Sequence, residues 1–206
     1  MTQIPQIASS ARMRLLTGIG LGALWVLFAI AHVAAFRTTG KVALLTFAIA
    51  ETLIALFFVL RAEAKTVTVN PREWIVAVLG TFLPLLLRPT SDNSVPLAEW
   101  GLMLGSIMQI AGVLSLNRSF ALVPALRKVK TEGMYRLVRH PIYFSYLISL
   151  ASYLMTNYSM ENLLILVCSV GLMISRVHFE ERHLSLTPEY RAYQTRVRWR
   201  LIPFVF

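Results

Sequence analysis

Six stretches of the chain run with at most one Asp, Glu, Lys or Arg inside them: residues 15–36, 42–60, 74–87, 100–117, 141–160 and 162–175. Their lengths are 22, 19, 14, 18, 20 and 14 residues. About 20 apolar residues cross a bilayer core as a helix. The pattern therefore predicts an all-α integral membrane protein with about six membrane helices. The last two flank the polar turn Thr156-Asn157-Tyr158-Ser159-Met160-Glu161 and read as a helical hairpin. The two 14-residue stretches rise only about 21 Å at 1.5 Å per residue, short of a hydrocarbon core of about 30 Å. Snorkelling of Arg72 and Arg88 is a remedy for the third stretch, and burial against neighbours a remedy for the sixth. Trp74, Trp100 and Trp199, each at or near a charged residue, are candidate interfacial anchors.

Composition agrees with this pattern and charge refines it. Of the 206 residues 56% are apolar and 15% charged, and Lys and Arg outnumber Asp and Glu 20 to 10. Such a chain is too apolar for a soluble globule. Its basicity is then better explained by cytoplasmic loops than by nucleic acid, because Lys and Arg collect on the inner side of membranes. Placing the Arg-rich segment 117–140 inside and alternating the six spans puts seventeen of the 20 basic residues inside and only Arg37, Lys41 and Arg88 outside. Both termini are expected in the cytoplasm. The run from Leu15 exceeds the h-region of a signal peptide and leads directly into a second span, so it is expected to be retained. Cys168, the single cysteine, excludes an internal disulfide framework and is expected to be a packed, inert thiol. No internal repeat or low-complexity tract is present, and the division expected is a four-helix membrane region over 1–116 and a catalytic region over 117–206.

Polar groups are sparse in the first region. His32 and Glu51 sit inside the first and second spans, at different depths, and the expectation for both is a structural role with a hydrogen-bonding partner on a neighbouring helix. The second region crowds its polar groups against the membrane on both sides of the hairpin. Before it stands Gly133-Met134-Tyr135-Arg136-Leu137-Val138-Arg139-His140-Pro141-Ile142-Tyr143, and after it Arg176-Val177-His178-Phe179-Glu180-Glu181-Arg182-His183-Leu184. An antiparallel pair returns to the face it left, so Arg139-His140 and Glu180-Glu181 should be neighbours. Pro141 suits the first helical turn and biases His140 away from helical geometry, placing it at the helix mouth. Arg176 and Glu180 share a helix face, with Glu181 turned about 100° away. Two readings stay open. The carboxylates either form ion pairs with Arg139 and Arg176 and nothing more, or hold a compact cationic ligand, with Tyr135 and Tyr143 facing its positive centre. Zinc is not expected, because His178 and His183 are five apart rather than four and Phe179 follows the first. Asn117, Arg118, Ser119 and Phe120, with Arg127, Lys128 and Lys130, form a basic loop that suits either anionic headgroups or a ligand lid. Tyr190, Tyr193 and Val197 at spacings of three and four predict an amphipathic helix at the membrane surface.

The run Gly133-x-Tyr135-Arg136-x-Val138-Arg139-His140-Pro141-x-Tyr143, followed by Arg176-x-x-x-Glu180-Glu181-x-x-Leu184 and Tyr190-x-x-Tyr193, resembles the isoprenylcysteine carboxyl methyltransferases and the related phospholipid methyltransferases of membranes. The likeness covers about 117–203. In place of a frequent Phe-Gly pair between its last two blocks, this chain has Leu186-Thr187-Pro188. The resemblance implies S-adenosylmethionine in a cytoplasm-facing pocket and a lipophilic acceptor entering from the bilayer, with a carboxylate, thiol or amine as the group methylated. Carried over position by position, it assigns Tyr135, Arg139, His140, Pro141 and Tyr143 to the cofactor pocket, and Glu180 and Glu181 to the cofactor's amino-acid end or its partners. Arg176 is assigned to an acceptor carboxylate, which its guanidinium matches. A carboxylate acceptor needs no base, whereas an ammonium acceptor must lose a proton, for which Glu180 or His140 is the natural base. The competing expectations are an intramembrane reductase using NADPH and a non-enzymatic transporter that works through Glu51 and His32.

Overall fold

The computed structural model describes residues 11–60, 64, 66–90, 95–119 and 121–206, with side chains from residue 23 onward except at 58, 59 and 118. Among the residues counted for orientation, the side chains of Arg12, Arg14, Arg61, Lys65 and Arg118 lie outside the described ones, as does Phe120 of the basic loop. The described residues form α1 (Ala11–Thr39), α2 (Val42–Leu60), β1 (Thr66–Val67), α3 (Pro71–Phe82), α4 (Pro96–Leu116), β2 (Ala125–Leu126), α5 (Pro141–Thr156), α6 (Met160–Leu184) and α7 (Pro188–Arg196).

Helices α4 and α6 are each long and apolar enough to cross a membrane, and the described parts of α1 and α2 form shorter apolar helices, Ala23–Thr39 and Val42–Phe57. The outward faces match that character: Leu27 on α1, Ile75 on α3, Leu104 and Ile107 on α4 and Val167 on α6 are all exposed. Apolar surface on this scale marks a lipid-facing or interaction surface rather than a soluble exterior. Cys168 shares that surface and is exposed, not packed as expected. The reason is register: α6 turns Ser169, Met173 and Arg176 inward, which leaves position 168 facing out.

The two stretches too short to span fare differently. Asn70 caps α3, its side chain accepting from the Arg72 amide, and Pro71 follows at the first position. Pro84 then turns the chain into a 3₁₀ segment, Leu83–Leu86. At 12 residues α3 is about 18 Å long and remains short. The stretch 162–175, by contrast, is only the apolar part of a 25-residue helix capped by Ser159. At about 37 Å, α6 carries its apolar run and then two further turns of charged residues.

Helix α4 packs along α1's neighbour α2 on one side and most extensively on α5 on the other. Gly105 permits the α4–α5 approach: a Cβ there would lie 2.3 Å from Ser149 Oγ and 2.8 Å from the Ser149 amide nitrogen. Leu44, Phe47, Leu102, Leu150 and Tyr153 fill the centre of this four-element stack. Helix α6 packs mainly on α3. The expected hairpin is therefore continuous in sequence but parted in its middle, because a cavity separates α5 from α6. The all-α expectation also misses a small ribbon. Thr66 pairs with Leu126 and Val67 with Ala125, antiparallel, which ties the segment after α2 to the one after α4.

Candidate functional site

The cavity is walled by Ile142, Tyr143, Tyr146 and Leu150 of α5, Ser169, Met173, Arg176, Glu180 and Leu184 of α6, and Gly80 and Thr81 of α3. Ser119, Arg127, Lys128 and Lys130 of the basic loop close one side, and Tyr135, Arg139, His140, Tyr190 and Tyr193 close the polar end. Ile54 and Pro84 contribute from the first 116 residues, so the site is not self-contained in the last third of the chain. Its inner part is apolar and its outer end is charged.

The two blocks expected to meet do so. Gly133, at φ 60, opens a 3₁₀ turn through Arg136 in a backbone region that L side chains rarely adopt. The chain then extends through Arg139 and His140, whose amides donate to the carbonyls of Trp199 and Arg200. This edge pairing with the C-terminal segment holds His140 at the N-cap of α5, ahead of Pro141 at the first turn. Pro141 does not wall the cavity; its part is to start the helix that does.

The adjacent carboxylates of α6 have separate fates. Glu181 accepts from Arg139 Nε and Nη2, both at 2.9 Å, from Tyr190 Oη at 2.7 Å and from Gln194 Nε2 at 2.8 Å. His140 Nε2 stands 2.9 Å from the same carboxylate. It lies beyond the apolar run of α6. Burial by itself would raise its pKa, but the hydrogen bonds from His140 and Arg139 outweigh burial and hold it well below the usual carboxylate range. Five short contacts leave it no lone pair to spare, and it does not wall the cavity. Of the two roles the resemblance implies for Glu181, the cofactor's amino-acid end or its partners, the hydrogen bonds are to partners: it holds Arg139 and His140, which face the cavity.

Glu180 does wall it. Its carboxylate accepts from the Tyr143 hydroxyl and lies 3.7 Å from His140 Nδ1 and 3.8 Å from Arg176 Nη2. The Arg176 guanidinium sits 5.2 Å from the Tyr143 ring centre. It is buried and anchored by Thr81 Oγ1 at 2.9 Å and the Leu122 carbonyl at 3.0 Å, while its Nε makes no hydrogen bond. Gly80 leaves the space that Arg176 crosses, since a Cβ there would lie 3.0 Å from Arg176 Cδ.

Helix α7 turns its spaced aromatic face onto the site and not onto a membrane surface. Tyr193 Oη donates to the Tyr135 carbonyl at 2.7 Å, and Tyr135, Tyr190, Tyr193 and Val197 form one buried cluster. Burial raises the pKa of Tyr135, Tyr190 and Tyr193, with the charge of Glu180 adding to it at Tyr135 and that of Glu181 at Tyr190. All three phenols stay protonated, and those of Tyr190 and Tyr193 act as donors. His178 is exposed, and His183 Nε2 lies 3.1 Å from Thr66 Oγ1, away from the carboxylate pair.

Deeper in the bundle, both isolated polar groups have partners. His32 Nδ1 lies 2.9 Å from the Phe28 carbonyl and its Nε2 3.0 Å from Tyr153 Oη. Glu51 accepts from Gln109 Nε2 at 2.8 Å and Trp25 Nε1 at 3.3 Å, with Tyr146 close by. Thr81, Leu122 and Tyr146 were not legible as site residues, since no charge or spacing marks them; only packing does.

With this geometry in place, the comparison with known families is specific. Residues 100–189 match the family profile described as phospholipid methyltransferase. The matched segment holds α4, α5, α6 and the carboxylate and histidine residues of the cavity. It starts earlier and ends earlier than the motifs indicated, and of the two related groups those motifs resemble, it names the phospholipid one. No match to a curated protein is found. The chain thus resembles a family of methyltransferases over a segment that supplies much of the cavity, while Ile54, Gly80, Thr81, Pro84, Tyr190 and Tyr193 lie outside the match.

Proposed function

We propose that the chain is a multi-pass membrane methyltransferase that takes S-adenosylmethionine at the polar end of the cavity and a lipophilic acceptor in its apolar part. The supporting observation is one continuous cavity that joins Glu180, His140 and Tyr143 to apolar walls on α3, α5 and α6. The residues present fit both ligands. Glu180 offers a carboxylate to an ammonium, the faces of Tyr135 and Tyr143 suit a positive sulfonium, and Arg176 keeps an unpartnered Nε–H for an anionic group. S-adenosylmethionine, when bound, supplies an already activated methyl group.

The work left to the chain is placement and exclusion of water. Arg139 and His140, fixed by Glu181 and by the C-terminal segment, shape the polar end. The cavity walls hold the acceptor against the donor, and aligned reactants at about 3–3.5 Å in a closed site account for much of the acceleration in such transfers. The proposed orientation, with both termini and the polar end in the cytoplasm, follows from the distribution of basic residues. Calorimetric titration of S-adenosylmethionine and its demethylated product into the detergent-purified protein is the test. Saturable binding of both is expected, unaffected by NADPH; absence of binding by a folded sample would refute this reading.

A further inference from the structure

Tyr143 of α5 donates to Glu180 on α6, and Tyr146, one turn along α5, stands beside Glu51 on α2. Both tyrosines wall the cavity, as does Ile54, one turn along α2 from Glu51. The first pair is engaged at the polar end. The second borders the apolar part and has no role in the reading above. We propose that Tyr146 and Glu51 form the proton-accepting group of the cavity, Tyr146 at its wall and Glu51 behind it, serving an acceptor that carries an N–H or S–H. This rests on the methyltransferase reading.

The surroundings of Glu51 fit a carboxyl that changes charge. Its two hydrogen bonds come from the indole N–H of Trp25 on α1 and the amide N–H of Gln109 on α4, and the Tyr146 hydroxyl is the titratable group beside it from α5. An ionised carboxylate accepts only, so these donors suit its charged form. The same Gln109 keeps its Oε1 buried without a partner. Rotating that amide about its terminal bond turns the oxygen to Glu51, where it accepts from the protonated form. The site therefore supplies partners for both protonation states. A carboxyl satisfied only for packing has no use for the second. The other titratable and charged groups facing this centre are Tyr143 from α5 and Arg176 from α6, whose charge reaches Tyr146. His32 is committed to Tyr153 and the Phe28 carbonyl.

The step balances without a further reactant. The acceptor's N–H or S–H proton passes to the Tyr146 oxygen as the phenol proton moves to Glu51. The freed lone pair forms the bond to the methyl carbon, and the carbon–sulfur bond of the donor breaks with its electrons remaining on sulfur. Glu180, occupied with the ligand's ammonium, is not free to take this proton.

The test has two arms on the full-length protein in detergent. In the first, without any ligand, infrared difference spectra between wild type and Glu51→Gln are recorded as pH is stepped. A reversible protonated-carboxyl band assigned to Glu51, with its midpoint displaced in Tyr146→Phe, is expected; a Glu51 that keeps one protonation state throughout the stable pH range overturns the proposal. In the second, methyl transfer from labelled S-adenosylmethionine to dodecylamine, dodecanethiol and dodecanoic acid is compared. Glu51→Gln and Tyr146→Phe should lower kcat for the amine and thiol on the order of a hundredfold, the usual worth of a positioned base, and flatten the pH–rate profile. The acid, which has no proton to give up, should lose far less turnover than the amine and thiol in the same variants, and both variants should still bind the demethylated product. Equal loss with all three acceptors, no loss with any, or turnover of the acid alone overturns it. Tyr146→Phe, which removes one hydroxyl, keeps the test valid if Glu51→Gln fails to fold. A wild type that binds no S-adenosylmethionine refutes the methyltransferase reading instead, and the infrared arm still reports on Glu51.

Discussion

Glu180 and Glu181 are neighbours in sequence and opposites in the structure. Glu181 is turned into a closed set of partners from the 139–140 segment and α7, with Arg200 of the C-terminal segment 3.9 Å away. Glu180, about 100° around α6, looks into the cavity with one firm hydrogen bond and two looser charge contacts. A helix thus presents adjacent carboxylates to two environments, one that fixes the architecture and one that is left open to a ligand. Burial of charge is affordable in the first only because the set is complete.

Removing the charge from the closed set should have the largest effect. Glu181→Gln leaves Arg139 buried without its counter-ion, which typically costs about 3–5 kcal/mol. Thermal unfolding in detergent should show a large drop in midpoint, and ligand binding should vanish with it. An unchanged midpoint would mean that the two carboxylates are not different in kind.

Acid probes the same contrast. Glu181 is held below its ordinary value of 4.5, so the stability it contributes is complete above that pH and is lost as pH falls toward its folded-state value. Stability against denaturant should therefore fall below about pH 4.5, and the slope should flatten in Glu181→Gln but persist in Glu180→Gln.

The open carboxylate should matter less for stability than for binding. Glu180→Gln keeps an acceptor for Tyr143 but leaves the buried Arg176 without its carboxylate, so the unfolding midpoint should fall, though less than in Glu181→Gln because Thr81 and the Leu122 carbonyl still hold the guanidinium. Calorimetric affinity for the demethylated product should fall tenfold or more, the loss of a charged hydrogen bond at about 1.5–3 kcal/mol. The smallest effect belongs to Tyr193→Phe, which deletes the buried hydrogen bond to the Tyr135 carbonyl. A loss of about 1 kcal/mol in stability is expected, with affinity nearly unchanged.

Much of the architecture was legible before any coordinates. The apolar stretch 42–60 coincides with α2, and Pro141 marks the start of α5, where its missing N–H costs nothing. The juxtaposition of Arg139-His140 with Glu180-Glu181 also follows from the return of an antiparallel pair. Other parts were not legible, for reasons that differ. The sixth apolar stretch looked too short because charge marked its end, while the backbone of α6 continues helically through Arg176 and Glu180. The face of α7 was apolar enough for a membrane surface, and only the position of Tyr135 and Glu181 shows that it packs inward. Cys168 could not be placed inside or outside without the rotation of α6.

The linear pattern alone determined that the chain is helical and built for an apolar surrounding, because helix length and the exclusion of charge are local properties of consecutive residues. It also determined which residue types stand at the charged end. Tertiary structure alone decided their division of labour. Whether a carboxylate is saturated or open depends on donors forty residues away and on the C-terminal segment. Likewise, α5 packs mainly on α4 and α6 mainly on α3, and the cavity is walled by both α5 and α6.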